Sequence, residues 1–174
     1  MYRFKQRGVG LVEVLVAVLL LSVAVLGFSA LQLRAISATD ESLVRTQALS
    51  VVRGLAENMR ANAGELDTYK DAVNAADSST TAVDSCQSLS NSCTSAQFAV
   101  KESNNAVAKL NEYDIKIKMD KCPSNESIPE FSKIKCVIAA WGDTLPEMSA
   151  STDACANTDG IYNSGSTCVI VEAY

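Results

Sequence analysis

One carboxylate stands at the start of the most apolar stretch of the chain. Glu13 directly precedes twenty residues without a formal charge, from Val14 to Leu33. A carboxylate within a membrane helix costs about 2.5–3.5 kcal/mol when it is central, and less near the interface. Glu13 therefore needs either a cationic partner or a shallow position at the lipid headgroups.

The residues before Glu13 offer such a partner. Cleavage after Gly8 would give Val9 a free amine four residues before Glu13, where a cation and a carboxylate on one helix face can meet. An uncut chain would instead hold Glu13 near the headgroups. The residues alone leave both possibilities open.

The run from Val14 to Leu33 is long enough to cross a membrane. At about 1.5 Å per residue it spans the roughly 30 Å hydrocarbon layer. Arg3, Lys5 and Arg7 precede it, so the positive-inside rule places the N-terminus in the cytoplasm and the later residues on the far side. A secretory signal peptide usually has an apolar region of only about 7–15 residues. A plain single-span anchor fits better but leaves Glu13 unexplained.

Composition argues against catalysis and nucleic-acid binding. The 174 residues carry a formal net charge of −5, and loss of the three basic residues of the leader changes it to −8. Such a surface repels nucleic acid. The chain has no histidine, no phosphate-binding glycine loop and no EF-hand spacing among its acids. We therefore expect no enzyme activity, no cofactor, no metal site and no direct nucleic-acid binding.

The helical pattern continues beyond Arg34 with one apolar face. The apolar positions of this face recur at spacings of three and four: Val44, Ala48, Val51, Val52, Leu55 and Met59. This predicts one long helix, or two nearly continuous ones, that stops at Gly64. Residues 64–95 predict a surface loop with a helical turn around Leu66 to Ala75.

A second helix and three strands are predicted after this loop. Thr94 and Gln97 form a capping box that would begin the helix, and its inward-facing residues would be Phe98, Val107 and Leu110. The strand candidates are Tyr113–Met119, Ile134–Trp141 and Cys168–Val171. An antiparallel sheet of at least three strands, packed on the amphipathic part of the first helix, gives an α+β fold.

The six cysteines favour an oxidising compartment and structural bridges. Six cysteines permit fifteen pairings, and the sequence does not choose among them. Our hypothesis is pairing in chain order: Cys86–Cys93, Cys122–Cys136 and Cys155–Cys168. Each bridge would close a loop of roughly 7–15 residues, worth about 2–3 kcal/mol by loop entropy.

The N-terminal residues resemble a known processing signal. Gly8 followed by Val9 to Glu13 and an apolar helix is similar to the class III signal of type IV prepilins and pseudopilins, although the usual residue after the cut is Phe. The resemblance implies that a prepilin peptidase cleaves after Gly8 and methylates the new N-terminus at Val9. It also implies that Glu13 pairs with the N-terminal amine of a neighbouring subunit during assembly.

Two shorter stretches resemble the PilV family of type IV pilus modification proteins, which are minor pilins. They are Leu55 to Asn62, which ends in Met-Arg-Ala-Asn, and Cys93 to Gln97, where a cysteine leads into a helix. Residues 101–105 depart from this family because they lack its Asp and Trp. The resemblance implies a lollipop-shaped pilin-like fold with disulfide-stapled loops. The loop between Cys155 and Cys168 resembles the disulfide-bounded C-terminal region of many pilins, which is often a contact surface; the alternative is that it only rigidifies the tail.

The resemblance also implies a domain order and a cellular role. Residues 1–8 would be the leader, 9–33 the membrane and assembly half of the helix, 34–63 its amphipathic half, and 64–174 the periplasmic domain. The precursor would lie in the bacterial inner membrane and then enter a pilus used for adhesion and twitching motility. Its partners would be prepilin peptidase, the major pilin, other minor pilins and the assembly machinery. A pseudopilin of type II secretion and a single-span periplasmic binding module that never assembles are the alternatives.

Peptide mapping tests the disulfide hypothesis. Digestion of the oxidised protein should release three disulfide-linked peptide pairs, joined as Cys86–Cys93, Cys122–Cys136 and Cys155–Cys168, and each pair should separate after reduction. The measurement is mass spectrometry with and without reductant. A bridge that joins cysteines of two different predicted loops would contradict the hypothesis.

Overall fold

The computed structural model describes residues 10–81, 86, 93–123 and 134–173. The helical segments are α1 (Leu11–Ala61), a 3₁₀ turn (Ala63–Glu65), α2 (Leu66–Ala75) and α3 (Ser95–Asn111). The strands are β1 (Lys116–Lys121), β2 (Lys135–Ala140), β3 (Leu145–Met148), β4 (Ala154–Ala156) and β5 (Cys168–Ala173). The chain divides into two compact units, Met1–Leu43 and Val44–Tyr174. The pattern is the α+β arrangement expected from the sequence.

The helix α1 is continuous for 51 residues and contains no proline. Its buried residues all lie in the second unit, on the predicted apolar face: Ala48, Val52, Leu55, Ala56 and Met59. Val44 and Val51 are partly buried against the same core. The amphipathic face is therefore confirmed, but α1 ends at Ala61 because residues around Gly64 tighten into the 3₁₀ turn instead of capping the helix.

The first part of the predicted surface loop after α1 is helical. Residues Leu66–Ala75 form a ten-residue helix, α2, with Tyr69 and Val73 buried. Asp67 at its start forms an ion pair with the buried Lys135, with Nζ and Oδ1 2.9 Å apart. The predicted helical turn around Leu66 to Ala75 is confirmed, and it forms a full helix in which two apolar residues one turn apart pack inward.

Helix α3 begins at the predicted capping box. The Thr94 hydroxyl accepts from the Gln97 backbone N–H at 3.3 Å, and the Gln97 side chain accepts from the Thr94 N–H at 3.0 Å. Val107 and Leu110 are buried as predicted, whereas Phe98 is 39% exposed. The prediction for Phe98 was wrong because the buried face begins at Ala99, one residue and about 100° further around the helix.

Strand β2 is the centre of the main sheet, whose order is β1-β2-β5 with antiparallel pairing throughout. Val137 and Ala139 of β2 belong to the core that contains the buried residues of α1. Ile138 and Ala140 belong to a second cluster with Cys155 and Cys168. All six residues of β2 are buried, since the sheet is covered on both faces. The three predicted strands are therefore confirmed.

Strands β3 and β4 form a separate, parallel pair that the sequence did not predict. They are only four and three residues long, and β3 contains Pro146. Pattern recognition needs a longer alternation than this, and proline argues against a strand. The pair covers the face of the main sheet that carries Ile138, since Met148 and Cys155 pack there.

Three disulfides join cysteines that follow one another in the chain. Cys86 is bonded to Cys93, Cys122 to Cys136, and Cys155 to Cys168, with Cα–Cα distances of 5.5, 4.9 and 5.8 Å. The second bridge ties the residue after β1 to β2, and the third ties β4 to β5. The second and third bridges therefore fix a strand to its neighbour or to the covering layer.

Thr94 should contribute measurably to the stability of the domain. We expect Thr94→Ala to lower the free energy of unfolding by about 1 kcal/mol, because it leaves an N-terminal N–H of α3 without its acceptor. Thr94→Ser keeps the hydroxyl and is the matched control, with near wild-type stability. Urea unfolding under non-reducing conditions measures both. Equal stability of the alanine variant and the wild type would contradict the role of the cap.

Candidate assembly site

The N-terminal part of α1 exposes an unusually apolar surface. Every large hydrophobic side chain from Leu11 to Leu43 is at least half exposed. By length and composition α1 could cross a membrane. Soluble monomers rarely expose contiguous apolar patches larger than a few hundred Å². This half of α1 therefore requires lipid or another protein around it.

Glu13 lies in the first turn of α1. Its backbone N–H donates to the Gly10 carbonyl at 3.0 Å, so the side chain sits where the positive end of the helix dipole favours an acid. Its neighbours on the helix surface are Val14, Ala17, Val18 and Leu21. None of the ion pairs found within the described residues involves Glu13. The structure thus places a carboxylate at one end of a wholly apolar surface.

Gly8 and Val9, predicted as the cleavage site and the methylated residue, lie outside the described residues. Their pairing with Glu13 therefore remains a prediction.

The hydroxyl groups along this part of α1 are satisfied within the helix. Ser29 donates to the Val25 carbonyl at 2.9 Å, and Thr39 donates to the Ala35 carbonyl at the same distance. Each bond spans one helical turn, so no hydroxyl needs a partner from outside. This surface can therefore face hydrocarbon in spite of its Ser and Thr residues. Sequence inspection missed this feature.

A polar cluster joins the second half of α1 to the following helices. The Asn58 amide of α1 donates to the Glu102 carboxylate of α3 at 2.8 Å. The Tyr69 hydroxyl of α2 is 3.5 Å from the Asn58 carbonyl. Burial of Tyr69 raises the pKa of its hydroxyl; the charge of Glu102 adds to this, and a hydrogen bond with Asn62 opposes it. The cluster fixes three helices by polar contacts at the margin of the core.

The segment bounded by Cys155 and Cys168 has defined internal hydrogen bonds. The Asn157 side chain accepts from the N–H groups of Asp159 and Ile161 at 3.0 and 2.9 Å. The loop presents two large side chains to solvent, Ile161 at 66% exposure and Tyr162 at 50%. No group of three or more potential metal ligands occurs among the residues that the structure describes. The loop is therefore held in a defined conformation by its own hydrogen bonds, and its role as a contact surface stays a prediction.

Comparisons with known proteins agree with these features. Residues 3–29 match the prokaryotic N-terminal methylation motif. The adjoining residues 30–102, less than half of the chain, match a Tt1218-like family model described as type IV pilin Tt1218. No curated protein and no solved structure matches the chain.

The chain therefore carries a prepilin-type methylation motif and is similar to type IV pilins over residues 30–102. The pilin model that it matches is the Tt1218-like one, and the resemblance to PilV remains a prediction. The pilin family that it resembles is a family of structural proteins and not of enzymes. The methylation motif implies processing by a prepilin peptidase and assembly with other pilins, and with the apolar helix it indicates a membrane-anchored precursor.

The raised pKa of Tyr69 predicts an alkaline limit to stability. Because the hydroxyl ionises less readily in the folded state, its contribution is complete below its unfolded pKa of about 10 and is lost as the pH rises through the folded pKa. The free energy of unfolding should therefore fall more steeply above pH ~10 in the wild type than in Tyr69→Phe. Urea unfolding at a series of pH values measures this difference. Tyr113→Phe, at an exposed position, is the control, and parallel curves for wild type and Tyr69→Phe would contradict the prediction.

Proposed function

We propose that the chain is a minor type IV pilin of the PilV kind, cleaved after Gly8, methylated at Val9, and then built into a pilus. The observation that carries this proposal is Glu13, a carboxylate without an ion-pair partner among the described residues, at the start of an exposed apolar helix. The match to the methylation motif covers this segment and supports the proposal.

In the proposed mechanism, Glu13 selects the position of the subunit in the fibre. Transfer of an apolar helix from lipid into a helical bundle gains little hydrophobic energy, because hydrocarbon is replaced by equally apolar side chains. A carboxylate and an amine that meet inside such a bundle neutralise each other, whereas either one left alone is costly. Pairing of Glu13 with the Val9 amine of a neighbouring subunit would thus stabilise one axial register of the helices relative to all other registers.

We further propose the surroundings in which this occurs. The precursor lies in the bacterial inner membrane with its leader, residues 1–8, in the cytoplasm and residues 64–174 in the periplasm. Residues 9–33 form the membrane and assembly segment, and residues 34–63 connect it to the domain. The chain joins the major pilin and other minor pilins, primes assembly or sits in a tip complex, and so affects adhesion and twitching motility.

A pseudopilin of type II secretion would use the same N-terminal chemistry. The match of residues 30–102 to a type IV pilin model favours the pilus. A single-span module that never assembles would keep its Gly8–Val9 bond.

N-terminal sequencing of protein extracted from membranes tests the processing step. The expected sequence begins at Val9, and the first residue should carry an added methyl group. An intact Met1 would overturn both the pilin and the pseudopilin proposals.

Substitution of Glu13 tests the assembly step separately. We expect Glu13→Ala to leave cleavage largely intact and to lower the amount of the protein in sheared pili, because the Val9 amine then lacks its partner. Glu13→Gln keeps the size of the side chain but removes its charge, and should impair incorporation similarly. Immunoblots of membranes and sheared pili measure precursor, processed form and incorporated subunit. Wild-type incorporation of both variants would contradict the proposed role.

A further inference from the structure

The two edges of the main sheet are protected to different degrees. At β1, the Asn74 side chain of α2 bonds to both backbone groups of Met119: its oxygen accepts from the N–H at 2.9 Å, and its amide donates to the carbonyl at 2.9 Å. An amide that donates and accepts in this way occupies the place of a neighbouring strand. The edge at β1 is therefore blocked at its centre.

The opposite edge, at β5, has few hydrogen-bond partners among the described residues. The Thr167 carbonyl bonds to the N–H of Trp141, so the backbone groups of Thr167, and by alternation those of Val169 and Val171, point toward β2. The groups of Cys168, Ile170 and Glu172 consequently point away from the sheet. Within the described residues, one hydrogen bond reaches this outward row, from the Ile170 N–H to the Tyr162 hydroxyl at 3.0 Å.

Another chain could displace the hydrogen bond between the Tyr162 hydroxyl and the Ile170 N–H. Tyr162 is half exposed and contributes one hydroxyl, whereas Asn74 contributes two hydrogen bonds. The outward carbonyl of Ile170 and the N–H of Glu172 have no partner among the described residues. A row of unpaired backbone groups at a sheet edge is a template for an added strand.

The charge on β5 itself indicates the chemistry of the partner. From Cys136 to Ala173 the chain carries no lysine or arginine, and it carries five acids: Asp143, Glu147, Asp153, Asp159 and Glu172. Glu172 lies on β5 itself and is exposed. Of these acids, only Glu147 forms an ion pair among the described residues, at 3.8 Å from Lys118. Because β5 carries the exposed Glu172 and no basic residue, a basic side chain opposite Glu172 is favoured at this edge.

We propose that the β5 edge binds an extended, basic backbone segment of another subunit by strand addition, and that this segment displaces the Tyr162 hydroxyl from the Ile170 N–H. The backbone of the segment pairs with the outward groups of Ile170 and Glu172, and one of its lysine or arginine side chains meets the Glu172 carboxylate. The identity of the partner as a subunit rests on the assembly proposed above; the binding edge rests on the geometry of β5 alone.

The test uses the full processed chain in detergent micelles and two fluorescent peptides, one that alternates lysine with valine and one that alternates glutamate with valine. The wild type should bind the lysine peptide and discriminate against the glutamate peptide. On binding, the Ile170 and Glu172 amides should exchange more slowly with deuterium, as measured by NMR.

Three variants separate strand addition from simple charge attraction. Glu172→Pro removes an outward N–H without touching the ladder to β2, and should weaken binding of the lysine peptide about tenfold. Glu172→Gln keeps the N–H, so the peptide should still protect the Ile170 amide. Tyr162→Phe removes the displaceable cap and should tighten binding by roughly fivefold, the equivalent of one neutral hydrogen bond. Unfolding curves and disulfide mapping check that each variant is folded.

Several results would overturn the proposal: absence of binding by the wild type, equal binding of the two peptides, full binding by folded Glu172→Pro, or weaker binding by Tyr162→Phe. The last result would make Tyr162 a contact of the peptide instead of a cap. Failure here differs from failure of the assembly proposal, since an uncut Gly8–Val9 bond would leave these peptide measurements unchanged.

Discussion

The burial of β2 on both faces is the constraint on which the domain depends. Its residues supply alternate side chains to two separate clusters, one shared with α1 and one shared with β4 and β5. Apolar burial contributes roughly 25 cal/mol per Å², so neither face can be left to water without a large loss. The amphipathic half of α1 must therefore cover one face, and the short β3–β4 layer must cover the other. The ion pair from Lys135 to Asp67 allows the one charged residue of β2 to be buried as well.

The elements that the sequence could predict are those with a long or chemically specific signal. The apolar face of α1 repeats over four turns, and Thr94 with Gln97 is a capping box with a defined geometry. Strand β2 reads as a continuous apolar run because it is buried on both sides. Strands β3 and β4 could not be predicted in this way, since they owe their conformation to the layer that they cover and not to their own alternation. The packing of α2 likewise depends on Tyr69 meeting α1 and α3.

The candidate sites also contain some features that the sequence predicts and others that only the folded structure shows. Glu13 could be recognised as a candidate from the sequence, because a carboxylate next to twenty uncharged residues is costly unless it has a function or a partner. The bonds from Asn74 to Met119 and from Ile170 to Tyr162 are invisible there, because each joins residues that only the sheet and its connections bring together. The disulfides lie between these cases: composition predicts bridges, but the choice of partner depends on which strands become neighbours.

Both ends of the described chain present polar groups that no other described residue matches. Glu13 stands beside an apolar surface, and the outward row of β5 has one hydroxyl as its cap among the residues that the structure describes. Folding of a single chain normally pairs such groups, because an unpaired buried carboxylate or backbone amide is costly. An unpaired polar group costs little free energy while it faces water or headgroups. It costs more once a neighbouring subunit excludes solvent from it. A neighbouring subunit that supplies the complementary polar group offsets this desolvation cost, whereas a neighbour that lacks the group does not. These polar groups therefore affect the choice of partner more than the strength of binding.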